Sequence, residues 1–256
     1  MGKMKNITRL LNIVVIIGIA SYLISCGAGE SNLSPGGSAS TGTTGSLARF
    51  AVKDNKIFTL SGDDAKTYTI ESNGSLTLFQ TIYLNNSIET IFCRKDALFV
   101  GTSSGMFIYS LTGSNYAVYK SFYSHIYSCD PVVADDSFAY VTLNSTANNR
   151  CWRGINALEI IDITSLTAPA LRVSYNMSSP QGLGIDSNYL FVCDDHLKMY
   201  DKSNVDSLVL LHSFNVKAND VIPFNHKLML TSSTGFYQYS YANGDLTLLS
   251  SILIGQ

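Results

Sequence analysis

"LEIIDITSLTAPALRVSYNMSSP", residues 158–180, reads as a strand, a turn, a second strand and a closing turn that carries Pro180. Variations on this phrase recur along the chain, while helical periodicity is almost absent. Self-similarity at a fixed period identifies repeat architectures before any other signal does. The blocks "KIFTL" (56–60), "ALFVG" (97–101), "FAYVT" (138–142), "YLFVC" (189–193) and "KLMLT" (227–231) align with one another. Downstream of each, a second strand holds Tyr68, Tyr109, Ile161, Tyr200 and Tyr239 in register. Further on, a hydroxyl–apolar pair recurs as Thr81-Ile82, Ser121-Phe122, Ser174-Tyr175, Ser213-Phe214 and Ser251-Ile252. Four residues before the apolar member stand Leu78, Val118, Leu171, Leu210 and Leu248. Upstream of each first block lies one more strand, such as "RFAVKD" (49–54) or "GLGIDS" (182–187).

Four short strands in each repeat of roughly 40 residues describe a propeller blade rather than a solenoid turn. A blade is buried on both faces by its neighbours, so its strands can be apolar at consecutive positions. "YLFVC" and "ALFVG" have that property. A β-sandwich would alternate apolar and polar residues more cleanly and would not repeat. The expected fold is all-β, a five-bladed β-propeller with four antiparallel strands per blade. Its blades span 47–87, 88–127, 128–179, 180–217 and 218–256. In this phase the chain enters on an innermost strand and leaves on an outermost one, "LTLLSSILIG" (246–255). No strand is then shared between the first and last blades, so closure is expected from side-chain packing between blades 1 and 5. The alternative is a slipped phase in which "STGTTGS" (40–46) lends a strand.

The segment "ALEIIDITSLTAPALRVSYNMSSPQGLGIDSNYLFVCDD" resembles the LVIVD-repeat group of bacterial propellers. Their repeats carry an L-x-I-I-D-I-S/T strand, a Pro-containing turn and a channel-lining strand. "LEIIDIT" (158–164) matches closely and "LKMYDKS" (197–203) loosely, whereas blades 1, 2 and 5 keep the spacing without the Asp. The resemblance implies an extracytoplasmic propeller whose role is binding of a mostly undefined kind.

Residues 1–25 read as a signal peptide. Lys3, Lys5 and Arg9 form a basic start, and "LLNIVVIIGIASYLI" (10–24) is a short apolar run. That run is short against the roughly 20 apolar residues of a membrane span. "LISC" (23–26) resembles a bacterial lipobox, which implies lipid attachment at Cys26 and cleavage before it; a plain secretory signal or an uncleaved anchor is the alternative. Two or three acyl chains would hold the mature protein to a membrane, because each buried methylene contributes about 0.8 kcal/mol. Residues 26–46 follow as the lipidated cysteine and a Gly/Ser/Thr linker that cannot bury enough apolar area to order itself. Its root-mean-square span is about 25 Å. Gly27, rather than Asp, follows the cysteine, and by the same resemblance the outer membrane is favoured over the inner within the bacterial cell envelope.

The remaining 47–256 suit one domain. Without Lys3, Lys5 and Arg9, 14 basic residues face 19 acidic ones, a net charge of −5. That balance, with no basic stripe, argues against a nucleic-acid partner. A monomer is expected.

Blade 3 carries an insertion, "LNSTANNRCWRGIN" (143–156), between its second and third strands. Cys151 lies in it and Cys129 starts the same blade's innermost strand. The loop after strand two and the start of strand one share a face of a blade, so a Cys129–Cys151 disulfide is geometrically reasonable. Closing such a loop stabilises by roughly 3 kcal/mol on the chain-entropy model. Cys93 and Cys193 fall on interior strand positions of non-adjacent blades and read as buried free thiols rather than a reactive pair. No C-x-x-C spacing supports zinc, and His125, His196, His212 and His226 show no ligand spacing. No cofactor is expected.

Trp152, the only tryptophan, stands with Arg150 and Arg153 in the insertion. An exposed Trp between arginines has hot-spot composition; the alternative is a loop that tucks the indole onto its own blade. The strand starts place Arg49, Glu89, Asp130, Gln181, Asn219 and Asp220 around the channel mouth. Such a ring can hold a sugar, a cation or a peptide end, or simply solvate the channel. Glu89 and Asp130 could also imitate the acid and base of a glycosidase. Three readings follow: a tethered module binding a protein or glycan, a carbohydrate-active enzyme, and an envelope scaffold.

Overall fold

The strand-forming blocks fold as twenty strands, and no helix occurs among the described residues. The computed structural model describes residues 45–84, 87–113, 117–124, 131–145, 155–241 and 245–254. Blade 1 contains β1 (Phe50–Lys53), β2 (Lys56–Ser61), β3 (Asp64–Ile70) and β4 (Leu76–Tyr83). Blade 2 contains β5 (Ile88–Arg94), β6 (Ala97–Thr102), β7 (Gly105–Ser110) and β8 (Val118–Ser124). Blade 3 is built of β9 (Val132–Ala134), β10 (Phe138–Leu143), β11 (Ala157–Asp162) and β12 (Ala170–Asn176). Blade 4 holds β13 (Leu183–Asp186), β14 (Tyr189–Cys193), β15 (Leu197–Asp201) and β16 (Val209–Phe214). Blade 5 holds β17 (Asp220–Phe224), β18 (Lys227–Ser232), β19 (Gly235–Ser240) and β20 (Thr247–Leu253). Each sheet is a four-stranded meander in sequence order, and the architecture is a five-bladed β-propeller. Among the described residues β1 is innermost in blade 1 and β20 outermost in blade 5; residues 40–44, which the slipped phase would use, lie outside them.

A bulge sits at the same place in all five blades, between the third and fourth strands. The register shifts just before Tyr68, Tyr109, Ile161, Tyr200 and Tyr239. The extra residue on the outer strand is Phe79, Lys120, Arg172, Leu211 or Leu249. A bulge bends and twists its strand, which curls the outer edge of each blade. The bulges also correct the alignment of blade 2. Tyr109 pairs with Tyr119, whereas Tyr68 pairs with Leu78, so Phe122-Tyr123 takes the place of the hydroxyl–apolar pair assigned to Ser121-Phe122. Side-chain identity misled there because backbone pairing, not the hydroxyl, sets the register.

The Asp of "LEIIDIT" has a local role. Asp162 Oδ1 accepts from Thr164 N at 2.9 Å and Thr164 Oγ1 at 2.6 Å. Asp201 does the same for Ser203, at 2.8 and 2.5 Å. Both open the turn into the fourth strand as Asx turns. In blade 2 Ser110 stands at this position, its hydroxyl 2.8 Å from that of Thr112, which explains why the spacing survives where the Asp is lost.

Four hydrophobic cores lie at the junctions of blades 1–2, 2–3, 3–4 and 4–5. The fifth junction differs. Ile91, Val132, Leu183 and Val221 occupy one repeat position, facing the preceding blade, and all are 0% exposed, while their counterpart Phe50 in blade 1 is 57% exposed. On the opposite sheet face, Phe58, Phe99, Tyr140 and Phe191 are at most 1% exposed, but Met229 of blade 5 is 37% exposed. The expected closure by packing between blades 1 and 5 is therefore corrected: among the described residues no blade face covers either of these two. Blade 5 is instead met at its inner end by the segment 45–48, through Ser46 and Leu47 on Asp220.

Candidate binding face

The strand starts, the connections between blades and the base of the blade-3 insertion share one face of the propeller. Ser46 Oγ donates to Asp220 Oδ1 at 2.8 Å, and Leu47 N donates to Asp220 Oδ2 at 3.2 Å. The same Ser46 oxygen accepts from Leu183 N at 2.8 Å. Ala48 O accepts from Ile91 N at 2.9 Å. One short segment thus joins blades 2, 4 and 5. Gly45 and Gly182 permit the approach, since a Cβ on either would lie 2.2 Å from an Asp220 carboxylate oxygen. Asp220 is buried, and burial pushes its carboxyl above the ordinary range, against the hydrogen bonds from Ser46, Leu47 and Val221 that favour the anion. The structure thus places Asp220, one of the residues the sequence assigns to the mouth, inside the closure.

The other mouth residues are placed individually. Arg49 is exposed and reaches Ile88 O at 3.4 Å through Nη1. Glu89 is half-buried. Gln181 is half-buried, its backbone N donates to Cys193 O at 2.6 Å, and its carbonyl accepts from Thr142 Oγ1. Asn219 has an exposed side chain, and its carbonyl accepts from Gly182 N at 2.8 Å. Asp130, with Cys26, Cys129, Arg150, Cys151, Trp152 and Arg153, lies outside the described residues.

Both feet of the insertion are described, and both are clamped. Asn144 Nδ2 donates to Pro180 O at 2.6 Å, from a buried side chain. Ser145 N donates to Asn156 Oδ1 at 2.8 Å, and Asn156 Nδ2 donates to Ser178 O at 2.6 Å. Asn156 therefore ties the two feet together and to the connection leading into blade 4. That connection is capped in turn by Asp194, whose Oδ1 accepts from Ser178 N at 3.1 Å and Ser179 N at 2.5 Å. Lys198 Nζ is 2.7 Å from both Asp194 and Asp195, and its hydrogen bond holds Asp195 down to about 2. None of these clamping residues stood out in the sequence. Asn144 and Asn156 flank the insertion symmetrically, and that flanking was the available signal.

The opposite face carries a groove of about 480 Å³ that sequence reasoning did not find. It is lined by Arg94, Asp135, Asp136, Arg172, Lys202 and Asp206 among others. Acid and base alternate there. Asp206 accepts from Arg172 at 2.7 and 2.5 Å, and Asp135 from Lys202 at 2.8 Å. Asp136 meets both Arg94, at 3.3 Å, and Lys95. Burial raises the Asp135 carboxyl, and hydrogen bonds from Lys202, Ser137, Phe138 and Tyr140 outweigh it, so the net direction is down. The lining charges cancel.

Cys93 and Cys193 are free and buried. Burial pushes the Cys93 thiol up to about 12 and raises that of Cys193 as well. No cluster of metal ligands occurs among the described residues.

No protein-family model and no curated protein match the chain. Solved structures do. A functionally unknown protein from Desulfotomaculum acetoxidans is similar with a TM-score of 0.62 at 11% identity, over 85% of this chain and 70% of that one. The periplasmic gluconolactonase of Pseudomonas aeruginosa gives a TM-score of 0.60 at 12% identity, over 79% and 68%. A protein from Lactobacillus plantarum gives 0.59 at 14% identity, over 77% and 67%. At these identities the likeness concerns the fold.

Proposed function

We propose that this chain is a non-catalytic binding or scaffold module of the bacterial cell envelope, held to the outer membrane by lipid on Cys26. Its propeller presents the insertion face to a protein or glycan, and its repeats are of the LVIVD kind. The observation that supports this reading best is the clamp of Asn144, Ser145 and Asn156 at the feet of the insertion. A loop set on a rigid base loses less conformational freedom on binding, so its contacts yield more affinity. Arg150, Trp152 and Arg153 then supply the planar, multivalent contacts typical of a hot spot. A Cys129–Cys151 bridge tightens the same loop, and non-reducing peptide mapping reads it directly.

The test replaces residues 146–154 by a short Asn-Gly turn and compares capture of envelope components by the two proteins. A component retained by the native chain and lost by the replaced one, at unchanged unfolding temperature, supports the reading. Equal capture by both overturns it. The near-isosteric, charge-removing changes Glu89→Gln and Asp130→Asn should leave capture intact, and a glycan-cleaving activity lost in either would favour the enzyme instead.

A further inference from the structure

Residues 71–75 form the turn between β3 and β4 of blade 1, and all of them are exposed. Two backbone bonds close the turn: Gly74 N donates to Glu71 O and Glu71 N donates to Ser75 O, each at 2.9 Å. Gly74 takes a φ of +80°, which glycine adopts without strain. A side-chain ring is laid over this backbone turn. Asn73 Oδ1 accepts from Ser75 N at 2.9 Å and from Ser75 Oγ at 2.7 Å. Because a backbone N–H can only donate, it is the oxygen of the carboxamide that faces Ser75.

These are the parts of an intramolecular acyl transfer. The Gly74 nitrogen follows the Asn73 carboxamide in the chain, and its attack on Cγ closes a five-membered ring. Nucleophile and electrophile are already joined, so no reactants have to be brought together. As the nitrogen attacks, negative charge gathers on Oδ1, where two donors already stand. Nothing lies within 4 Å of the position that a Gly74 Cβ would occupy, so the approach is uncrowded. Asn204, in the corresponding turn of blade 4, supplies the contrast. Its Oδ1 also accepts from the backbone N two residues on, Asp206, at 3.1 Å. The residue after it is Val205, β-branched and buried in the core between blades 3 and 4. Cyclisation there would crowd the valine and pull it from its packing.

We infer that Asn73 is a modification site: it deamidates in the folded protein, with Ser75 as the donor to its oxyanion. The bond from Gly74 N to Asn73 Cγ forms as the Gly74 proton passes to water. The tetrahedral centre then expels the side-chain nitrogen as ammonia and leaves a succinimide. Water opens that ring at one carbonyl to give aspartate, or at the other to give isoaspartate. Either product adds one negative charge beside Glu71. The isoaspartate also lengthens the main chain inside the two bonds that close the turn. Gly74 N–H has to leave Glu71 O for the attack, and in an exposed turn water takes its place at that carbonyl.

The test is storage of the full chain in warm neutral buffer, followed by peptide mass mapping. Mapping by position is needed because Asn243-Gly244 repeats the dipeptide. A second sample held in guanidinium chloride sets the time in which Asn73 converts without the fold. Within that time the folded chain should carry a mixture of aspartate and isoaspartate at 73 and an intact amide at Asn204. Ser75→Ala should slow the conversion severalfold at unchanged unfolding temperature. An Asn73 amide still intact in the folded chain when the denatured one has converted overturns the inference. A Ser75→Ala variant that converts at the native rate overturns it as well.

Discussion

Ser46 and Asp220 stand 174 residues apart in the chain and 2.8 Å apart in space, a buried hydroxyl–carboxylate hydrogen bond. It binds the segment leading into blade 1 to the first residue of β17, the innermost strand of blade 5. In place of a shared strand, the molecule closes with one carboxylate and the backbone around it.

Removing that carboxylate should therefore cost more than its own contact. Asp220→Ala leaves the buried Ser46 hydroxyl and the part-buried Leu47 N without their acceptor. An unsatisfied buried donor costs about 1–3 kcal/mol. The expected loss in a thermal melt is several degrees, about 2–4 °C per kcal/mol for a domain of this size. Ser46→Ala should weaken the same junction less, because it strands only Leu183 N, while Asp220 keeps the bonds from Leu47 N and Val221 N. A melt of Asp220→Ala indistinguishable from native would remove the closure role.

Acid should act on Asp220 and Asp135 with opposite sign. The Asp220 carboxyl is raised in the fold, so its contribution is fullest below the unfolded value near 3.8 and declines as pH rises through its folded value. The Asp135 carboxyl is lowered, so its contribution is present above 3.8 and is lost as pH falls through its folded value. Urea midpoints of Asp220→Asn should gain on the native chain as pH rises above 4. Those of Asp135→Asn should gain on it as pH falls below 4. Parallel curves for both variants would contradict this assignment.

Glycine matters at the closure for space rather than for backbone angle. A Cβ at Gly182 would meet Asp220 Oδ1 at 2.2 Å and the Asn219 carbonyl at 2.7 Å. Overpacking of this kind costs about 1–3 kcal/mol. Gly62, with φ of +61° and nothing within 4 Å of its Cβ position, gives the contrast. Gly62→Ala should cost about 1 kcal/mol through strain alone. Denaturant midpoints should rank Gly182→Ala below Gly62→Ala, and the reverse order would show that the junction yields.

The two strand cysteines should resist alkylation. Burial both blocks approach and disfavours the thiolate, raising Cys93 to about 12. Iodoacetamide at neutral pH should leave Cys93 and Cys193 unmodified in the native protein and label both in denaturant, as read by peptide mass. Rapid native labelling of either would show that its blade opens.

The contrast between Phe58 and Phe50 shows how far the sequence could be read. The apolar run containing Phe58 repeats five times, and its burial follows from the next blade in the chain, a nearest-neighbour matter that period alone conveys. Phe50 lies at the same repeat position as Ile91, Val132, Leu183 and Val221, and nothing local distinguishes it from them. Asp220 resembles Asn219 beside it, a polar residue at a strand start, yet one is enclosed and the other exposed. The clamps at Asn144, Asn156 and Asp194 depend on carbonyls and amides of the connection between blades 3 and 4, which residue types do not reveal. In blade 2 the hydroxyl at Ser121 imitated a register that backbone pairing set one residue later.

Period, strand count and the two-sided greasiness of each blade were determined by the amino-acid sequence itself, because a repeat buries its faces against the copy next to it. How the first and last copies meet was decided by the tertiary structure alone. There the partner is not the next residue block but a distant one, and whether a face is covered depends on where the ring brings its ends. Hence Ser46 clasps Asp220 while Met229 and Phe50, written in the same pattern as their buried counterparts, remain partly in water.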